Sequence, residues 1–140
     1  MIVLDTNVLS ELMRERPAAQ VVEWLDARDT DSLAITAITV AELLYGVARL
    51  DDGARKTRLA TAVSALVHED FGGRVLPFDA TAAVHYAEVV SGRERQGRPV
   101  STADAQIAAI SRSHDAALAT RNVRDFEATG VEILDPWEQR

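Results

Sequence analysis

The chain has 140 residues, 47% of them hydrophobic and 26% charged, with a formal net charge of −7 at pH 7. That is enough for one globular domain with a real core. No apolar run approaches the roughly 20 residues that a membrane helix requires. Met1-Ile2-Val3-Leu4-Asp5 has neither a basic n-region nor a long apolar h-region, so a cytoplasmic protein is expected. Cysteine is absent, which excludes disulfides, thiolate metal sites and cysteine nucleophiles. His68, His85 and His114 are scattered without paired-ligand spacing. Any metal here must be held by oxygen, which favours Mg²⁺ or Mn²⁺ over Zn²⁺. The acidic total argues at first against a nucleic-acid partner. A cluster of acids at one site gives the same total, however, and a bound cation reverses the sign of such a site.

Residues 1–4 are an apolar run bounded by Asp5-Thr6-Asn7, the pattern of a buried parallel strand. Leu9, Leu12 and Met13 follow at helical spacing. Pro17 suits the first turn of a second helix that buries Val21, Val22, Trp24 and Leu25. Leu33-Ala34-Ile35-Thr36 reads as a second strand. Thr39 is positioned to cap a helix carrying Ala41, Leu43, Leu44, Val47 and Leu50, with Glu42 in its first turn. Asp51-Asp52-Gly53 breaks the chain before another helix that runs to about His68. Gly72-Gly73 turns into a third strand at Val75-Leu76-Pro77-Phe78, and Asp79 caps a long helix through Val84, Ala87 and Val90. The polar stretch from Gly92 to Pro99 reads as a frayed helix end or loop. Ser101 caps the next helix, with Ile107, Ala108 and Ile110 inward. Ala117-Leu118-Ala119-Thr120 is a fourth strand and Val131-Glu132-Ile133-Leu134 a short fifth. Alternating strands and helices predict a three-layer α/β/α sandwich with a mostly parallel, roughly five-stranded sheet. No repeat or linker divides it, so residues 1–140 are expected to form a single domain.

In open α/β sheets, ligands bind beyond the carboxyl ends of the strands. Asp5 directly follows the first strand, Glu42 comes after the second, Asp104 precedes the fourth, and Asn122 and Asp125 come just after it. Each has an ordinary local reading. Asp5 suits an N-cap, Ser101-x-x-Asp104 and Asn122-x-x-Asp125 match capping boxes, and Glu42 complements a helix dipole. Caps alone do not require all of them at one sheet edge. Phosphodiester hydrolysis does favour that arrangement, because it needs a positioned water and neutralised phosphate charge, and one or two Mg²⁺ ions on a few carboxylates supply both.

Four segments carry a family resemblance. Met1-Ile2-Val3-Leu4-Asp5-Thr6-Asn7-Val8-Leu9-Ser10 resembles the opening motif of PIN-domain ribonucleases, and Ala41-Glu42-Leu43-Leu44-Tyr45-Gly46 their second acidic motif. The stretch from Thr102 to Ala109, around Asp104, is similar to the third. Leu118-Ala119-Thr120-Arg121-Asn122-Val123-Arg124-Asp125-Phe126 is similar to the fourth. All occur in order over nearly the whole chain. The match is nearest to VapC toxins of type II toxin–antitoxin systems, in the FitB-like branch, which the ending Val131–Trp137 also resembles. The resemblance implies Mg²⁺-dependent RNA cleavage (Mn²⁺ as substitute), with Asp5 and Asp104 as principal metal ligands and Glu42 as a further acid. It also implies a homodimer or toxin–antitoxin hetero-oligomer, and inhibition by a small DNA-binding antitoxin. The departure is Asn122, where many members carry an acid. Asn122 coordinates only through a carbonyl, and Asp125 is the alternative.

Thr6 and Thr120 are candidates for orienting the carboxylates, or for plain strand-end hydrogen bonding. RNA-backbone candidates are the run Arg93, Arg95 and Arg98, and the pair Arg121 and Arg124; solvated surface charge is their alternative. A groove for an antitoxin helix is expected near Leu9, Leu12 and Met13 and around Leu44, Tyr45 and Val47. Two other classes fit an acidic pocket on a parallel sheet. One is a Mg²⁺-dependent phosphatase or receiver-like domain, for which Asp79 follows the third strand but no late lysine exists. The other is a non-catalytic binding module whose acids are caps.

Overall fold

Ile2–Leu4 forms the middle strand of the sheet, β1, and every other strand is placed relative to it. The structure, a computed structural model, describes residues 1–138. Strand β1 leads into α1 (Thr6–Leu12) and α2 (Ala19–Asp26); β2 (Leu33–Thr36) leads into α3 (Ala37–Ala48) and α4 (Ala54–Ala65). Strand β3 (Val75–Leu76) is followed by α5 (Ala80–Arg95) and α6 (Thr102–Ser113), and β4 (Ala117–Ala119) by α7 (Val123–Phe126) and β5 (Ile133–Leu134). The sheet order is β3-β2-β1-β4-β5 and every pairing is parallel. The three-layer sandwich is therefore as expected, with the sheet wholly rather than mostly parallel.

Alternation along β1 divides the core. Leu4 packs with Val8, Leu9, Val21, Ile35, Leu43 and Val63 on one face. Val3 packs with Val89, Ala105, Ile107, Leu118 and Phe126 on the other. Both faces are buried, which is why β1 and β2 read as unbroken apolar runs. Because the order reverses at β1, the chain leaves β1 toward β2 on one side and reaches β4 on the other. The crevice between the carboxyl ends of β1 and β4 is thus the topological switch point.

Several boundaries differ from the sequence reading. Helix α3 begins at Ala37, because the Oγ1 of Thr36 accepts the amide of Thr39; Thr36, not Thr39, is the cap. Glu42 therefore lies in the second turn. Pro17 lies outside α2, whose N-cap is Ala18. Helix α4 ends at Ala65 and passes into a π-helical turn, Leu66–Asp70. Strand β3 has two residues rather than four. Helix α5 continues through Arg95, so the expected loop is helical to that point, and α5 carries Val84 on its exposed side at 61% exposure. Asp79 caps α5 by accepting the Ala82 amide at 2.9 Å, beside the edge strand β3, which removes the receiver-like assignment. Among the described residues no helix is long and apolar enough to cross a membrane.

Phe126, the fully buried last residue of α7, anchors the segment after β4 to the second core. Phe126→Ala should cost about 3–5 kcal/mol in urea unfolding, whereas Val84→Ala on the exposed face of α5 should change stability by no more than about 0.5 kcal/mol.

Candidate active site

Asp5 is the N-cap of α1 and is 5% exposed. Its Oδ1 accepts the Thr6 amide at 2.8 Å; its Oδ2 accepts the Thr120 hydroxyl at 2.8 Å and the Asn7 side-chain amide at 3.3 Å. Thr120, just past β4, is itself held, since its Oγ1 accepts from Asn7 at 3.2 Å and from the Asn122 amide at 3.0 Å. The Asn7 Oδ1 accepts the Arg121 amide at 3.3 Å. Asn7 thus staples the end of β1 to the end of β4. The sequence reading did not single it out, although its place two residues after Asp5 puts a bifunctional amide where both strands end.

Glu42 reaches the same place from α3. The Thr6 hydroxyl donates to its Oε1 at 2.7 Å and lies 3.1 Å from the Thr39 hydroxyl. Asp104 comes from the first turn of α6, whose Ser101 cap accepts its amide at 3.2 Å. Asp5, Glu42 and Asp104 line one open cavity of about 470 Å³, together with Asn7, Arg121 and Asn122. Asp125 does not line it, but its charge acts on Asp104. The Asn122 side chain makes no capping bond to α7, so the capping-box reading fails on that side. The cavity also receives Glu11 and Trp137, which sequence reasoning missed. Glu11 is buried but satisfied, accepting from Arg14 and the Ala18 amide; its i+4 spacing from Asn7 on α1 was the available signal. Trp137 stacks under the Arg121 guanidinium, 5.2 Å from ring to carbon.

Burial pushes the Asp5 carboxyl up to about 6, and the negative charges of Asp104 and Glu42 add to the rise against the hydrogen bonds from Thr120 and Thr6. Asp104 is raised too, by burial first and then by Asp125 and Glu42, with Ser101 and Arg93 opposing. Carboxylates forced together in a recess fit a hard divalent cation, which relieves their repulsion through oxygen donors alone. Among the described residues no group of three or more acid or histidine side chains stands close enough together to hold a metal ion.

The arginine run separates. Arg93 is 5% exposed and spent inside the protein: its Nε donates to the Arg98 carbonyl at 2.7 Å, and its Nη1 to the carbonyls of Asp125 and Glu127 at 2.9 and 2.8 Å. Its assignment as an RNA contact is therefore corrected, because its donors are taken by the backbone around α7 and its charge acts on Asp104. Arg98 pairs with Glu127 at 2.9 Å. Arg95, Arg121 and Arg124 are exposed.

Two outcomes are expected. Because the folded state holds the Asp5 proton more tightly than the unfolded chain, metal-free protein should lose stability as pH rises from about 4 through 6. Asp5→Asn should remove that slope and be the more stable protein at pH 7 in EDTA, by at most about 3 kcal/mol, with the two converging at low pH. Arg93→Ala, which strands three carbonyls and loosens the support of α7, should cost about 2–4 kcal/mol in urea unfolding.

The PIN domain model matches residues 2–132 of the chain. The chain is 42% identical over 138 residues to the VapC ribonuclease Y4jK of Sinorhizobium fredii, covering 99% of each. It is 41% identical to the toxin FitB of Neisseria gonorrhoeae, covering 98% of this chain and 99% of that one. It superposes on a structure of FitAB bound to a DNA fragment with a TM-score of 0.94 at 39% identity, covering 100% of this chain and 98% of that chain. The convergent carboxylates thus stand in a known frame, and the chain belongs to the PIN-domain family, within the group that contains VapC ribonucleases and the toxin FitB.

Proposed function

We propose that this protein is a divalent-metal-dependent endoribonuclease, the toxin of a type II toxin–antitoxin pair, acting in the cytoplasm with the whole chain as one catalytic domain. The observation that carries the reading is the meeting of Asp5, Glu42 and Asp104 in one open cavity at the switch point of the sheet. The relatives support it, being a VapC ribonuclease and a toxin by name.

Asp5 and Asp104 would hold Mg²⁺, or Mn²⁺ in its place, with Glu42 and Asn122 as further oxygen donors and Asp125 adding its charge from outside the cavity lining. When bound, the cation neutralises phosphate charge and acidifies a water. The chain supplies position. Thr6 and Thr120 hold two acids in fixed orientation, so little reorganisation remains when substrate arrives. Glu42 would take a proton from the attacking water. Attack at phosphorus breaks the bond to the 3′ oxygen, which leaves with a proton, giving 5′-phosphate and 3′-hydroxyl ends. Arg121, whose guanidinium lies over the Trp137 ring, and Arg124 are the candidate phosphate contacts beside the cavity.

The partner reading is a cognate DNA-binding antitoxin in a homodimeric or hetero-oligomeric complex, consistent with the FitAB pair bound to DNA. Leu9 is fully buried and unavailable to it. Leu44 and Tyr45 on α3 are 52% and 67% exposed, the apolar surface that such a partner would cover.

Asp5→Ala and Asp104→Ala should reduce Mg²⁺-dependent cleavage of a labelled RNA to background with the circular dichroism spectrum unchanged. Thr120→Val should retain activity lowered about 10- to 100-fold. An active Asp5→Ala protein, or products ending in 2′,3′-cyclic phosphate, would refute the assignment.

A further inference from the structure

A second cleft, of about 860 Å³, opens beside the carboxylate cavity, where the chain leaves α1 and where α4 begins. Its lining has the opposite sign. Arg14 and Arg16 follow the C-cap of α1, and Arg55 and Arg58 stand near the start of α4; Glu15 is the one acid among the residues that line it. A chain of net charge −7 thus gathers four guanidinium groups against one carboxylate.

These arginines are not accounted for by the fold. Elsewhere Arg28 lies over Trp24, Arg74 donates to the Leu33 carbonyl, Arg93 is buried on three carbonyls, and Arg98 and Arg112 pair with Glu127 and Glu88. Among the described residues, Arg16, Arg55 and Arg58 have no ion pair, no side-chain hydrogen bond and no aromatic partner. Arg14 pairs with the buried Glu11 through Nη1 alone and remains 66% exposed. Nor do Arg55 and Arg58 stabilise their helix. Arg55 falls in the first turn of α4, which contains no acid, so its charge opposes the helix dipole. The i,i+3 spacing puts the two on one face, while Lys56 between them turns away to Asp52.

Continuity decides what the cleft serves. Ser10 and Arg14 line both spaces, so the carboxylate cavity and the arginine cleft are one path with an acidic end and a basic end. A phosphodiester strand with one phosphate at the acids would run its neighbouring phosphates along the guanidinium groups. We infer that the cleft between α1 and α4 holds the phosphate backbone of a single RNA strand on one side of the scissile bond, through Arg14, Arg16, Arg55 and Arg58. This rests on the reading of the carboxylate cavity as the cleavage site. Guanidinium forks bind phosphate oxygens in pairs but do not read bases. The cleft therefore supplies affinity and direction, and base choice lies elsewhere. It also resolves how an acidic protein grips RNA: the favourable charge is local and adjoins the place where the acids need a cation.

The test compares wild type with Arg55→Glu/Arg58→Glu, the milder Arg55→Ala/Arg58→Ala and, as a control that changes charge by as much as the Ala pair but lies outside both the cleft and the cavity, Arg49→Glu. Thermal melts first establish folding; if the Glu pair does not fold, the Ala pair carries the comparison. The probe is a fluorescein-labelled single-stranded RNA of roughly twelve nucleotides, followed by anisotropy with Mg²⁺ across a salt series. Loss of two phosphate contacts should weaken binding at least about tenfold and reduce the slope of log K against log salt by about 1.4; Arg49→Glu should do neither. In cleavage, KM for that RNA should rise while kcat holds, and turnover of a dinucleotide too short to reach the cleft should not change. Unchanged affinity and slope with cleavage intact would overturn the cleft and leave the nuclease reading standing. Reduced binding in a protein that cleaves no RNA under any divalent cation would keep the cleft and sink the nuclease reading. Binding of an acidic peptide that the Glu pair abolishes, with RNA affinity unaffected, would assign the cleft to a protein partner and overturn the inference.

Discussion

Carboxylates repel one another, and the site exists because the fold presses several into one recess and holds them there. Asp5 is the focus. Burial alone favours its neutral form, and Glu42 and Asp104 add to that cost. The Thr6 amide, the Thr120 hydroxyl and the Asn7 side-chain amide oppose it, each donating to a defined oxygen. The result is an acid that is oriented but incompletely neutralised. A divalent cation in the cavity would offset that repulsion.

The supports reach outward from that focus in two directions. Toward β2, Thr6 links Asp5 to Glu42 through adjacent positions on α1 and α3, so the second acid is registered to the first by a single hydroxyl. Toward β4, Asn7 and Thr120 tie the two central strand ends together and bring the Arg121–Asn122 segment to the cavity. Arg93 finishes the far side. Buried between α5 and α7, it gathers the carbonyls of Arg98, Asp125 and Glu127 and places a positive charge where it favours ionised Asp104. A buried guanidinium with its donors occupied is an architectural element here, and its contribution to the site is electrostatic rather than by contact.

Charge is therefore sorted by location. The acids meet at the switch point, many arginines are spent on backbone carbonyls, aromatic faces and surface pairs, Arg95 and Arg124 stand exposed, and a further group lines the cleft that continues from the cavity past Ser10 and Arg14. Net charge averages over these populations and describes none of them.

Strand–helix alternation was written plainly enough to read the sandwich, the buried central strands and the positions of Asp5, Asp104, Ser101 and Asp79 at element ends, because periodicity and capping are local properties of a few neighbouring residues. Glu42 was identified, but its turn was misplaced, since Thr36 and Thr39 are both competent caps and only the end of β2 chooses between them. Arg93 and Arg95 looked alike within one polar stretch; packing of α5 against α7 buries the first and exposes the second, a distinction carried by contacts to residues 125 and 127 that no local pattern encodes. The basic cleft was illegible for the same reason. Arg14 and Arg16 lie some forty residues from Arg55 and Arg58. The sequence by itself determined which chemistry the chain possesses, oxygen ligands without thiols or paired imidazoles. Only the tertiary structure decided which charges meet, because electrostatic interaction depends on distance in space and on burial, and both are set by how the helices pack on the sheet.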